Sequence, residues 1–106
     1  MNSHAKGKRF ELEIAAKLRE MGYDARRTQQ YSGKTEEASD VVGLNGIHIE
    51  CKHVEQMRLY EWMAQAVRDS KDTLPIVIHK QNRKPILVTM LFEDWMKLYE
   101  AYDDKT

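Results

Sequence analysis

A carboxylate and an amine, Glu50 and Lys52, stand two residues apart in the run Ile47-His48-Ile49-Glu50-Cys51-Lys52. Side chains alternate across a strand, so in an extended run His48, Glu50 and Lys52 share one face and Ile47, Ile49 and Cys51 the other. Alone, such a pair is most often a surface ion pair. Asp40 changes that weighting if it meets the same face. Asn45-Gly46 lies between two short apolar runs, Asp40 to Gly43 and Ile47 to Lys52, which predicts a hairpin. A two-residue turn would set Asp40 opposite Cys51, on the apolar side. A three-residue loop, Leu44-Asn45-Gly46 with Gly46 left-handed and a bulge, sets it opposite Glu50. That register also gathers Val41, Ile47, Ile49 and Cys51 on the apolar side, and it is the one we expect. Two facing carboxylates repel without a counter-charge. A hard divalent cation supplies that charge, and Mg2+ typically takes one or two carboxylates plus water and phosphate oxygens.

The elements that must position these groups follow from periodicity. Phe10, Ile14, Leu18 and Met21 recur at helical spacing, so Lys6 to Met21 is a predicted helix, stopped at Gly22. Glu11 lies nearer that apolar stripe than Glu13; it either reaches over the sheet toward a metal or faces solvent. Tyr23 to Thr28 is a predicted short strand, and Gln29 to Ser39 a polar loop flexing at Ser32-Gly33. Met57 to Asp69 reads as a helix with Tyr60, Met63, Ala64 and Val67 buried, widened by Leu59, Trp62 and Ala66. Strands near Ile76 to His79 and Ile86 to Met90 flank the basic turn His79 to Lys84. A last helix, Glu93 to Tyr102, opens on acidic residues that suit its positive N-terminus. The fold class is therefore α/β, a mixed β-sheet flanked by helices in the order α-β-β-β-α-β-β-α.

The chain has 106 residues, which fits a single domain spanning 1–106. With 42% hydrophobic and 32% charged residues, its balance is that of a globular chain and not a disordered one. No apolar run approaches the ~20 residues that cross a bilayer, and no signal-peptide pattern opens the chain. The lone Cys51 excludes an internal disulfide and fits a reducing cytoplasm. Net charge is zero, which argues against a DNA-coating protein, but the charge is sorted. Residues 1–35 carry eight Lys/Arg against four Asp/Glu, and residues 36–72 carry four against eight. Such patches suit a protein that grips phosphate at its edges and holds carboxylates at its centre; ordinary solvated faces would give the same numbers.

Asp40 followed by Glu50-Cys51-Lys52 resembles the D-(x)n-E-x-K signature of the PD-(D/E)xK nuclease superfamily, with Ser39 where a proline usually precedes the aspartate. More narrowly, Lys6-Gly7-Lys8-Arg9-Phe10-Glu11 is similar to the K-G-x-x-x-E opening of archaeal-type and phage Holliday-junction resolvases. Gly22-Tyr23, Arg27 and the Ser32-Gly33 loop continue the likeness, which spans residues 6–52. It implies a restriction-endonuclease-like core and a metal-dependent, structure-selective DNA endonuclease. Such an enzyme resolves four-way junctions as a homodimer through paired cuts, using Mg2+, with Mn2+ as a substitute. Glu11, Asp40 and Glu50 would be the acidic metal ligands, with the backbone carbonyl of Cys51 as another. Lys52 would orient or deprotonate the attacking water or steady the charge growing on the phosphate, and Ser32 would assist there. Lys6, Lys8, Arg9, Arg26, Arg27 and Lys34 would contact neighbouring phosphates. The implied setting is the cytoplasm, that of the host for a phage-encoded chain.

Two other readings stay open. One is another nuclease of this superfamily, acting on flaps, ends or duplex DNA; the other is a non-catalytic DNA-binding module on the same fold. The intact Asp40, Glu50 and Lys52 set speaks against the module. A transition-metal site built on His48, Cys51 and His53 is disfavoured, because no strand spacing sets them tetrahedrally. Cys51 and Trp95 read as core. Gln65 reads as support for the site or as a capping or solvent residue. Trp62 and Leu59 read as burial under the sheet or as a dimer patch.

Overall fold

The computed structural model describes residues 2–28 and 39–105. Ser32 and Lys34 lie outside that range. Helix α1 spans Ser3–Glu20, entered earlier than its apolar stripe predicts because Asn2 caps it, accepting from the Ala5 N–H at 2.8 Å. It is followed by β1 (Arg26–Arg27), β2 (Val41–Val42) and β3 (Ile47–His53). Then come α2 (Leu59–Ser70), β4 (Leu74–Lys80), β5 (Leu87–Met90) and α3 (Phe92–Asp104). The strands form one sheet in the order β1-β2-β3-β4-β5, parallel only between β3 and β4. A parallel pair needs a crossover, and α2 provides it. The element order is the one expected, α-β-β-β-α-β-β-α.

The hairpin register is the one that carries Asp40 to Glu50. Val41 pairs with Ile49, and Gly46 turns the loop at φ +81°. Continuing the pairing by one residue brings Asp40 opposite Glu50. Alternation then sorts the sheet. Ile49, Cys51, Ile76 and Ile78 pack with Phe10, Ile14 and Ala15 of α1, while Val77 packs with Trp62, Met63 and Ala66 of α2. Fully burying a Phe or Ile stabilises by roughly 1.5–3 kcal/mol each, so the α1 layer is the stronger anchor.

Three expectations about burial are corrected. Tyr60, Ala64 and Val67 are exposed, and the buried face of α2 is Trp62, Met63, Ala66 and Ser70. Both stripes have helical spacing; the sheet selects the one whose Trp62 ring lies 5.8 Å from His79. Met21 falls beyond the end of α1 and is exposed. Trp95 is not core: it is half exposed, and α3 has no buried residue.

Candidate active site

The expected carboxylates converge where β2 leaves β3. The Asp40 N–H donates to the Ile49 carbonyl at 2.8 Å. At the Cys51 N–H the backbone ladder gives way to a side chain, because that group donates to Asp40 Oδ2 at 2.8 Å. Thr28 pins the other side, its N–H donating to the Asp40 carbonyl at 3.0 Å. Asp40 is thus fixed from both neighbouring strands, at the mouth of a hollow of about 270 Å3. Glu11, Glu50, Lys52 and Gln65 line the same hollow. Residues 54 positions apart in sequence meet there because α1 and α2 cover opposite faces of the sheet at this end.

Glu50 is 2% exposed, a cost that an ionised side chain bears only with partners. Its Oε1 lies 2.7 Å from His48 Nε2, and His48 Nδ1 lies 2.8 Å from Ser39 Oγ. The strand therefore supplies its own support: His48 and Glu50 share the α2 face, as the alternation predicts. His53 points to the α1 side instead, its ring 5.5 Å from Phe10, so the two histidines do not meet. Cys51 is buried on the apolar face, as expected, and burial pushes its thiol far above the usual range.

Asp40 is the electrostatically stressed member. Burial, reinforced by the neighbouring Glu50 charge, pushes its carboxyl from 3.8 up to about 8, and the Cys51 N–H only partly offsets this. A group so placed either keeps its proton or acquires a cation. Glu11 has a cation already, since Arg27 Nε donates to its Oε1 at 2.7 Å.

The expected ligand set lines one hollow but does not close on a single point. Among the described residues, the three-member group whose ligand atoms lie within 4.8 Å of one another is His48, Glu50 and Asp69. Asp69 is a residue that the sequence reading missed. Its signal was its place four residues after Gln65 on α2, hence on the same helical face. Lys52 lines the hollow, and no ion pair engages it among the described residues.

Basic residues from distant segments surround the same edge. Lys8 lines the hollow itself, and Lys6 and Arg9 border an adjoining one beside His53 and Asn82. Lys80, which ends β4, and Arg83, from the β4–β5 turn, line a third with His53 and Glu55. Glu55 organises this rim, accepting from the Asn82 N–H at 2.8 Å and lying 3.5 Å from Lys6 Nζ. The Asn82 N–H holds the Glu55 carboxyl below its usual range. Arg26 is exposed on β1. Arg27, expected on phosphate, donates its Nε to Glu11. Ser32 and Lys34 lie outside the described residues.

Comparison with known proteins follows from this geometry. A family model for phage PDDEXK endonucleases matches residues 2–106. No curated protein sequence matches the chain. Among solved structures the chain is similar to Hjc of Archaeoglobus fulgidus, a Holliday junction resolvase from an archaeal hyperthermophile, determined at 1.6 Å. The TM-score is 0.59 at 24% identity, over 80% of this chain and 72% of that one. At that identity the likeness establishes a shared fold.

Proposed function

The chain belongs to the phage PDDEXK endonuclease family, and from that premise we propose that it is a Mg2+-dependent endonuclease that resolves four-way DNA junctions as a homodimer. The observation that carries the reading is the meeting of Asp40, Glu50, Glu11 and Lys52 in one hollow, with Asp40 pushed up to about 8 by burial and by Glu50. Such a pair is short of positive charge. The donor set suits a hard divalent cation, all oxygen and anionic. One oxygen each of Glu11, Asp40 and Glu50 is fixed by Arg27, the Cys51 N–H and His48, which leaves the second oxygen of each for an ion. In an extended strand the N–H and C=O of one residue point to the same side, so the Cys51 carbonyl faces the Asp40 edge too.

Asp40, Glu50 and the Cys51 carbonyl would hold the ion directly. Glu11, lining the same hollow, would join them directly or through one of the waters that Mg2+ gives up reluctantly. When bound, the ion activates water and offsets charge on the phosphate. Lys52 orients the attacking water or steadies the developing negative charge. Lys6, Lys8, Arg9, Arg26, Lys80 and Arg83 grip flanking phosphates; Lys34 and Ser32, which lie outside the described residues, complete the set in this reading. Arg27 acts through Glu11. The chain is one nuclease domain working in the cytoplasm of a phage-infected host.

Junction selectivity rests on the shared fold with a Holliday junction resolvase and on the K-G-x-x-x-E opening. Recognition through phosphates and shape fits the basic rim and the lack, among the described residues, of a helix rich in base-reading side chains. The test uses labelled four-way junction, linear duplex and single-stranded DNA, each with Mg2+ or with chelator. Paired, Mg2+-dependent nicks confined to the junction support the proposal. Equal cutting of duplex reassigns the chain to nucleases acting on flaps, ends or duplex sites. Binding without cleavage under every condition leaves a DNA-binding module.

A further inference from the structure

Helix α3 carries an apolar face that the described residues of its own protomer leave uncovered. It packs extensively against no other element, and none of its residues is buried. Phe92, Trp95, Tyr99 and Tyr102 recur at three- and four-residue spacing, 70%, 49%, 45% and 66% exposed. Trp95 stacks on Tyr99 at 5.6 Å, and Tyr99 lies 6.2 Å from Tyr102, so these three rings form one continuous stripe, with Phe92 three residues before Trp95. An amphipathic helix is stabilised mainly by burying such a face, and isolated helices of this length are marginal in water.

The same protomer offers an apolar groove of about 610 Å3 between α2 and β5. Leu59, Met63 and Val67 form one wall and Met90, Leu91 and Phe92 the other. Its charged lining residue is Arg68, a cation. Helix α3 starts at the rim of this groove and carries five acidic residues against one lysine over Phe92–Asp104. The groove and the helix are therefore complementary in apolar character and in charge. Nucleic acid and anionic membrane are excluded as occupants of the helix face, because an acidic helix repels both.

We propose that a second copy of this chain covers the face: α3 of each protomer lies in the α2–β5 groove of the other. One chain carries both halves of the contact, which is what a two-fold interface requires. The area is sufficient. The four rings, at ~200 Å2 each and a little over half exposed, present about 450 Å2 on each helix. A reciprocal contact uses one helix and one groove per protomer, so each partner buries about 900 Å2, against ~800 Å2 in a standard interface. The proposal rests on the homodimer reading above and names its surface; the contact uses no active-site residue, so a monomer that still cleaves DNA separates its failure from that of the nuclease reading.

Sedimentation equilibrium on the full chain tests it. The wild type is expected to be a dimer of the 12.5 kDa chain. Trp95→Glu, on the helix, and Ala64→Glu, on the exposed groove wall, should each weaken association by at least about tenfold with an unchanged circular-dichroism spectrum. Mixing the two variants should restore a dimer, because the intact helix of one fits the intact groove of the other. A wild-type monomer at the highest soluble concentration overturns the proposal. So does a dimer that survives both changes, or one broken only by Val88→Glu on the β5 edge, which would assign pairing to the sheet. Should either charged variant lose its spectrum, Tyr99→Ser is the substitute, with the same expected loss.

Discussion

His48 Nε2 lies 2.7 Å from Glu50 Oε1, two residues away on the same strand face, and Ser39 Oγ holds the far side of the ring at 2.8 Å. Both side chains are almost fully buried. The ring therefore fixes which Glu50 oxygen remains for a ligand, and its own orientation is fixed by a residue adjacent to Asp40. Position and chemistry are linked here by a run of three side chains along the β2–β3 opening. Supporting contacts of this kind set the geometry that a ligand set presents.

Replacing His48 by Ala should free Glu50 to turn while leaving the charge set intact. The Mg2+ concentration for half-maximal cleavage should rise roughly 10–100-fold. His48→Gln, able to donate from the same side, should recover part of the loss. Equal Mg2+ requirements in wild type and His48→Ala would show that the ring only fills space.

Asp40 makes the metal-free protein sensitive to pH in a definite direction. Its carboxyl is raised from 3.8 to about 8 in the folded state, chiefly by burial and then by Glu50. Between those values the folded chain holds a proton that the unfolded chain releases, so stability falls as pH rises across the window. With chelator present, Asp40→Asn should gain on the wild type in melting temperature from pH 5 to pH 8. Adding Mg2+ should erase the advantage for the wild type alone. Parallel melting curves across the range would show that Asp40 carries no such stress. The same variant should abolish cleavage and leave junction binding nearly unchanged, as measured by gel shift.

The element order and the Asp40–Glu50 meeting were legible because a strand alternates strictly and a hairpin loop has few allowed lengths. Gathering Val41, Ile47, Ile49 and Cys51 on one apolar side selected the three-residue loop, and the Val41–Ile49 pairing has that register. The buried face of α2 was not legible: Tyr60-Met63-Ala64-Val67 and Leu59-Trp62-Met63-Ala66 have the same helical spacing. Only the sheet beneath, with Val77 and His79, chooses between them. Trp95 was misread for a related reason. An apolar stripe shows that a face must be covered and does not say by which chain. The Arg27–Glu11 ion pair was not legible, because strand position says nothing about Glu11 reaching across from α1.

Arg27 donates to Glu11 at 2.7 Å with both side chains about four-fifths buried, so its loss should act on the metal set and not on DNA affinity. Arg27→Ala is expected to lower cleavage about tenfold and raise the Mg2+ requirement. Stability should fall by about 1–3 kcal/mol, because Glu11 is left largely buried without its donor. Arg27→Lys should recover little, since a point charge does not reproduce the guanidinium fork. A weaker junction Kd with a shallower salt dependence would instead place Arg27 on a phosphate.

Gly43, just after β2, lies against the chain leading into β1. At φ +130° it adopts backbone that L side chains avoid, and a Cβ there would lie 2.5 Å from Ala25 Cα and 2.7 Å from the Asp24 carbonyl oxygen. Both are backbone atoms, so neither can swing aside. Strain and overpacking together should make Gly43→Ala cost roughly 2–5 kcal/mol. Gly46, at φ +81° with open space around it, should tolerate Asn at a few tenths of that cost. Gly7, inside α1 with nothing within 4 Å, should gain about 0.5–1 kcal/mol on becoming Ala. Urea unfolding of the three variants measures the order. Because the Thr28 N–H donates to the Asp40 carbonyl at 3.0 Å, forcing β1 away from β2 also displaces Asp40. Cleavage by Gly43→Ala should therefore be lost at temperatures where the chain is still folded, and a variant that cuts normally until it melts would separate the two strands' contact from the site.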